Sequence, residues 1–281
     1  MHFGANTFIW TSPFSTDQLS LIQKVRDFGF DVFEIAVEDP ALIDLELLKR
    51  ALDDLQMDVI VCGVFGPDRD LSSDDHQTSE RAAEYLRWCI HAAQVLGSPL
   101  IGGPMYSAVG KARPLPDSER AAESQRVAKR LQAMADYAQD VGVNLALELL
   151  NRFENDMLNI VDQGLEMLER IDRPNVGLHL DTFHMHIEEK DPAAAIRRAG
   201  DRVFHFHACE NDRGVPGTGQ VRWQEITAAL RSINYSGAVV IESFTPEVKS
   251  IARAVNLWRP VASSQDAIAQ DGLAFLRSCF E

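Results

Sequence analysis

The chain has 281 residues, 46% of them hydrophobic and 25% charged, a composition that buries a large core and excludes disorder as the dominant state. With 27 Lys+Arg against 42 Asp+Glu, the formal net charge is −15, which argues against a nucleic-acid backbone as partner, because such binding needs clustered cations. The acidity favours a neutral or cationic small partner, or a bound metal cation.

In chain order, short apolar runs recur at Phe3–Trp10, Val32–Glu38, Asp58–Phe65, Leu100–Tyr106, Asn144–Leu150, Val176–Thr182, Val203–Glu210 and Ala238–Phe244. They are nearly continuous rather than alternating, as strands buried on both faces of a parallel sheet are. Amphipathic segments separate them: Thr16–Phe28, Pro40–Leu55, Thr78–Leu96, Asp117–Val141, Asn159–Ile171, Pro192–Ala199, Trp223–Ile233 and Glu247–Trp258, with a last helix over Ser263–Phe280. Gly97 and Gly142 supply stop signals for two of them. Eight strand–helix units with no linker or break in composition predict one (β/α)8 TIM barrel domain over residues 1–281, with an extra C-terminal helix over about 263–280. A doubly wound open sheet is the rival, but no GxGxxG follows the first run.

Cys62, Cys89, Cys209 and Cys279 stand far apart with no CxxC pair, so reduced thiols in a cytoplasmic protein are expected. No segment reaches the ~20 apolar residues of a membrane helix, so no membrane association is expected.

Barrel enzymes place their chemistry at the carboxyl ends of the strands. The last four runs each carry one ionisable side chain late in an apolar stretch: Glu148, Asp181, His207 and Glu242. Burying such a charge is costly unless it is paired or coordinated. Convergent, they make an oxygen- and nitrogen-donor site for one divalent cation, Mn²⁺ ahead of Co²⁺ or Mg²⁺. Separate buried salt bridges or solvated strand ends are the plainer alternative. His179 and His205 share strand faces with Asp181 and His207 and read as deeper core residues or supports.

The stretches Glu148–Glu154, His179–Glu189, His207–Arg213 followed by Gly217-Thr218-Gly219, and Val240–Phe244 resemble the ketose 3-epimerases, the D-tagatose/D-allulose (psicose) group of the xylose-isomerase-like barrels. Gly4–Trp10 and Gly102–Ser107 look similar too. The resemblance implies Glu148, Asp181, His207 and Glu242 as metal ligands, and Glu154, His184 and Arg213 as the residues holding the O1/O2 end of a ketose. It implies epimerisation at C3 through a cis-enediolate, with Glu148 and Glu242 as the two acid/bases on opposite faces. A homodimer or homotetramer is the family's usual assembly. One departure is Tyr106–Gly110, where several members have a Trp against the sugar.

Phe8, Trp10, Phe65 and Met105 are candidates for the pocket wall or for plain core. Gly214–Gly219 reads as a turn, with a phosphate cradle as the lesser alternative, and Asp68–Asp75 as a solvated loop capping the next helix. Other readings of the same site are an aldose–ketose or hydroxypyruvate-type isomerase, an inosose dehydratase, and a catalytically silent sugar-binding barrel.

Overall fold

The computed structural model describes residues 1–280. Its strands are β1 (His2–Asn6), β2 (Val32–Val37), β3 (Asp58–Gly63), β4 (Leu100–Gly103), β5 (Asn144–Glu148), β6 (Val176–Asp181), β7 (Val203–His207) and β8 (Ala238–Ile241). All pairings are parallel and β8 closes on β1, so the strands form a closed barrel in chain order, the expected TIM barrel. Around it run α1 (Ser20–Asp27), α2 (Leu45–Asp54), α3 (His76–Leu96), α4 (Asp117–Asp140), α5 (Val161–Ile171), α6 (Thr182–Glu188), α7 (Pro192–Ala199), α8 (Trp223–Ser232), α9 (Lys249–Ala254) and α10 (Gln265–Phe280).

Local chemistry explains the elements. Every residue of β2 and β6 is buried, which is why those runs are apolar without alternation. Helix α3 starts where Asp75 accepts the Thr78 N–H and ends where Gly97 adopts φ +84°, a left-handed turn that a side chain would strain. Its buried stripe includes Ala82, Tyr85, Cys89 and Leu96. No described helix is long and apolar enough to cross a membrane.

Several features depart from expectation. The first strand stops at Asn6, whose side chain accepts the Phe8 N–H and turns Thr7–Ile9 into a 3₁₀ helix. The sixth stops at Asp181, whose carboxylate accepts the Phe183 N–H and caps the unforeseen α6. Only Lys249–Ala254 of the eighth helical segment is helical, and α10 fills out the ring against α8 and β8. Residues 68–75 are not simply solvated: Asp70, Leu71 and Ser72 are buried. The Lys111 ammonium pairs with Asp70 at 2.7 Å, and Arg130 donates to the Leu71 and Ser73 carbonyls, so the loop is held by cations from the next unit.

Inside the barrel, Val32, Ile60, Leu100, Ala146 and Val240 form an apolar floor near the strand starts. Phe8, Ala36 and Phe244 cluster toward the strand ends. Between and around these layers lie the polar side chains of the site.

Candidate metal centre

Glu148 ends β5, Asp181 ends β6, His207 ends β7 and Glu242 directly follows β8. The staggered register puts Asp181 opposite His207, whereas Glu148 lies opposite His179. All four are buried, and one ligand atom from each lies within 4.8 Å of the others. His207 Nδ1 stands 3.6 Å from Glu242 Oε2 and 3.9 Å from Asp181 Oδ2, and it has no hydrogen-bond partner. A buried imidazole nitrogen left unpaired among carboxylates is what a cation position leaves. The donor set, three carboxylates and one imidazole, fits a hard to borderline divalent ion.

Arg213 and His184 touch this cluster, and Asn151 links Glu154 to His184. Arg213 Nη1 donates to Glu242 Oε2 at 2.7 Å and to Asp181 Oδ2 at 3.0 Å, while its guanidinium lies 4.1 Å from the Phe183 ring and 4.8 Å from that of Phe244. His184 Nε2 lies 3.8 Å from Glu148 Oε1 and 3.3 Å from Arg213 Nη2. The Asn151 backbone N–H donates to His184 Nδ1 at 3.1 Å. The Asn151 side chain also donates to Glu154 at 2.8 Å, so one residue orients both.

Sequence reasoning missed Glu34, Asn6 and Cys209. Glu34 is fully buried in the middle of β2; its Oε1 takes His207 Nε2 at 2.7 Å and the Asn6 amide at 2.6 Å, and its Oε2 takes His205 Nε2 at 2.6 Å. A lone carboxylate inside an apolar run was the available signal, the same one that marked Glu148. Cys209 donates its thiol toward Asp181 Oδ2 at 3.2 Å and the Glu242 carbonyl at 3.1 Å.

The surroundings push the carboxyls apart. Burial, with the charges of Glu242 and Asp181, raises Glu148 well above the usual range. Burial also opposes ionisation of Glu242, but His207 and Arg213 outweigh it and hold that carboxyl below the usual range. Burial lowers His184, reinforced by Arg213, so this ring is neutral. Burial opposes ionisation of Glu34 too, and His207 and His205 overcome it strongly. A cation among the four would lower every carboxyl of the set.

The family model described as xylose isomerase-like TIM barrel matches residues 22–279. The chain is 37% identical over 279 residues to a probable ketose 3-epimerase of Synechocystis sp., covering 99% of this chain and 96% of the relative. It is 33% identical to an L-ribulose 3-epimerase of Methylomonas sp., covering 99% and 97%. The chain belongs to the ketose 3-epimerase family. A crystal structure of D-allulose 3-epimerase from Methylomonas sp. in complex with D-allulose superposes with a TM-score of 0.91 at 32% identity, covering 99% of this chain and 96% of that one.

Within this ketose 3-epimerase, several expected wall and loop residues have other partners. Trp10 packs on Phe28 and gives its indole N–H to Asp266 of α10 at 2.7 Å. Tyr106, from the loop where relatives were expected to differ, is buried and donates to the Leu158 carbonyl. The Gly214–Gly219 loop closes on a carboxylate of its own chain: Glu210 accepts the Gly217 and Val221 N–H groups, each at 2.9 Å, and the Trp223 indole at 3.0 Å. Within the loop the Gly214, Gly217 and Thr218 N–H groups are held by Asp212, Glu210 and the Val215 carbonyl, as in a turn.

Proposed function

We propose that this enzyme inverts C3 of a free ketose, of the D-tagatose, D-fructose, D-allulose or ketopentose type, by removing a proton on one face and returning one on the other. The observation that carries the reading is the pairing of Glu148 and Glu242 in one cluster with Asp181 and His207, with Arg213 joined to that cluster. Strands β5 and β8 stand three places apart around the ring, so their carboxylates flank a substrate lying over the barrel axis. Glu148, Asp181, His207 and Glu242 would hold one divalent ion, Mn²⁺ ahead of Co²⁺ or Mg²⁺, and that ion supplies Lewis acidity at the O2–O3 end of the open-chain sugar.

One carboxylate of the Glu148/Glu242 pair takes the C3 proton, leaving a cis-enediolate, and the other delivers a proton to the opposite face. The Arg213 guanidinium and the His184 Nε2–H donate toward O2, which carries the developing charge. Glu154, oriented by Asn151, accepts from the O1 hydroxyl and fixes that end of the chain. Relatives named for allulose and psicose support a ketose as the substrate class. The reading also takes the enzyme to be cytoplasmic and a homodimer or homotetramer, in keeping with four free cysteines and with the family resemblance.

The test is incubation of ketoses in D₂O with added Mn²⁺ or Co²⁺ and with chelator. Metal-dependent appearance of the C3 epimer, deuterated at C3, is expected. Label at C1 alone would make the enzyme an aldose–ketose isomerase, and absence of turnover on every ketose would leave a sugar-binding barrel.

A further inference from the structure

Beside and beneath the carboxylate set lie three imidazoles, two of which the chemistry above does not use. His179, His205 and His207 are fully buried, with ring centroids 4.0, 4.5 and 5.0 Å apart in the three pairs. One nitrogen from each lies within 4.8 Å of the others. Neither nitrogen of His179 has a hydrogen-bond partner, and Nδ1 of His205 and Nδ1 of His207 have none either. Four unpaired imidazole nitrogens in a dry interior are costly unless something binds them. The His179 and His205 rings pack directly against the β4 backbone, where a side chain would crowd them. Residue 102 of β4 is glycine, and a Cβ there would come within 3.2 Å of both His179 Nδ1 and His205 Cδ2.

We propose that His179, His205 and His207 form a second cation position, selective for nitrogen-preferring transition ions of the Zn²⁺ type, whose occupation excludes the ion held by Glu148, Asp181, His207 and Glu242. The selectivity follows from the donors. Imidazole suits Zn²⁺, Ni²⁺ and Cu²⁺, carboxylate suits Mn²⁺ and Mg²⁺, and Zn²⁺ binds most nitrogen sites more tightly than Mn²⁺ does. The exclusion follows from His207, which belongs to both sets. Glu34 already holds its Nε2 at 2.7 Å, so the ring has one nitrogen left to give. Glu34 also grips His205 Nε2 at 2.6 Å, so one carboxylate supports two of the three rings. Zn²⁺ is then an inhibitor that competes with the activating ion. The exclusion rests on the four-residue set proposed above, whereas the three-histidine site itself does not.

The test uses the full chain stripped of metal and then given one equivalent of Zn²⁺. Zinc-edge X-ray absorption should count three imidazoles in the wild type and at most two in His179→Met. Competition with a chromophoric chelator should show Zn²⁺ held about tenfold or more weakly in that variant, with Mn²⁺ affinity, followed by electron paramagnetic resonance, changed by less than about threefold. His179→Gln provides a second, polar replacement should the Met variant fold poorly. A single imidazole in the wild type, or equal Zn²⁺ affinity in wild type and variants, would overturn the inference, as would simultaneous retention of one Mn²⁺ and one Zn²⁺. Three imidazoles around Zn²⁺ in a protein that binds no Mn²⁺ would support the histidine site and overturn the four-residue reading instead.

Discussion

Glu34 and His207 meet across the barrel axis, Oε1 to Nε2 at 2.7 Å, although β2 and β7 stand three strands apart around the ring. The contact leaves Nδ1 as the face of His207 turned to Asp181 and Glu242. A carboxylate behind an imidazole fixes its tautomer and raises its basicity toward a metal. Replacing Glu34 by Gln keeps the shape and removes the charge. Mn²⁺ affinity, measured by calorimetry, should fall by about 10- to 100-fold. Unchanged affinity would mean that Glu34 only fills the core.

The two acid/base candidates predict a split between turnover and exchange. Glu148→Gln and Glu242→Gln should each cut epimerisation by about 10²–10⁴-fold or more, since each also contributes to the metal set. On the proposed reading, the remaining carboxylate in each variant still faces one side of C3. One epimer should therefore exchange its C3 proton with D₂O faster than it epimerises. Loss of exchange and turnover in equal measure in both variants would argue against separate faces.

Arg213 donates to both Asp181 and Glu242 and lies against the Phe183 and Phe244 rings. Lysine keeps the charge but loses the planar fork and the stacking. If Arg213 serves the sugar's O2 as proposed, Arg213→Lys is expected to lower kcat/KM for a ketose by about 10²-fold, with Mn²⁺ affinity changed far less. An equal fall in both quantities would assign Arg213 to the metal set instead.

Metal removal should also be visible in stability. Four buried ionisable groups converge with Arg213 as the cation touching two of the carboxylates. A divalent ion binding only the folded chain adds about 2.7 kcal/mol at a hundredfold excess over its dissociation constant. Melting curves with EDTA and with Mn²⁺ should differ by several degrees. Coincident curves would argue against the metal site.

Away from the site, Asp70 gives an acid-sensitive contribution. Burial pushes its carboxyl up, but the Lys111 and Ser72 hydrogen bonds prevail and hold it below its ordinary value. A carboxyl depressed in the folded state stabilises above its unfolded pKa and loses that contribution as pH falls through the folded one. Asp70→Asn should therefore destabilise the protein by about 1–3 kcal/mol at neutral pH, with the gap to wild type closing below about pH 4. A gap that stays constant down to pH 3 would count against this account.

Much of the barrel was legible beforehand. Strands buried on both faces must be apolar throughout, so the eight runs stood out, and Gly97 marked the end of α3 through its own capping chemistry. Glu148, Asp181, His207 and Glu242 could be singled out because a charge late in an apolar run needs a partner. Glu34 carried the same mark but was passed over, since it lies mid-strand and its histidine partners are more than 170 residues away. The buried loop around Asp70 was hidden for a related reason: its polar sequence looks solvated until Lys111 and Arg130 of the following unit close on it.

What the sequence determined by itself was period and content: which stretches become strands, which side chains share a face, and which charges would be stranded in apolar surroundings. What only the tertiary structure decided was which of those charges meet. Closing the sheet staggers each strand against the next, so Glu148 lies level with His179 rather than Asp181, and β2 delivers Glu34 to two histidines of β7. Local chemistry acts over a few residues, whereas barrel closure acts around the whole ring, and no single strand carries that information.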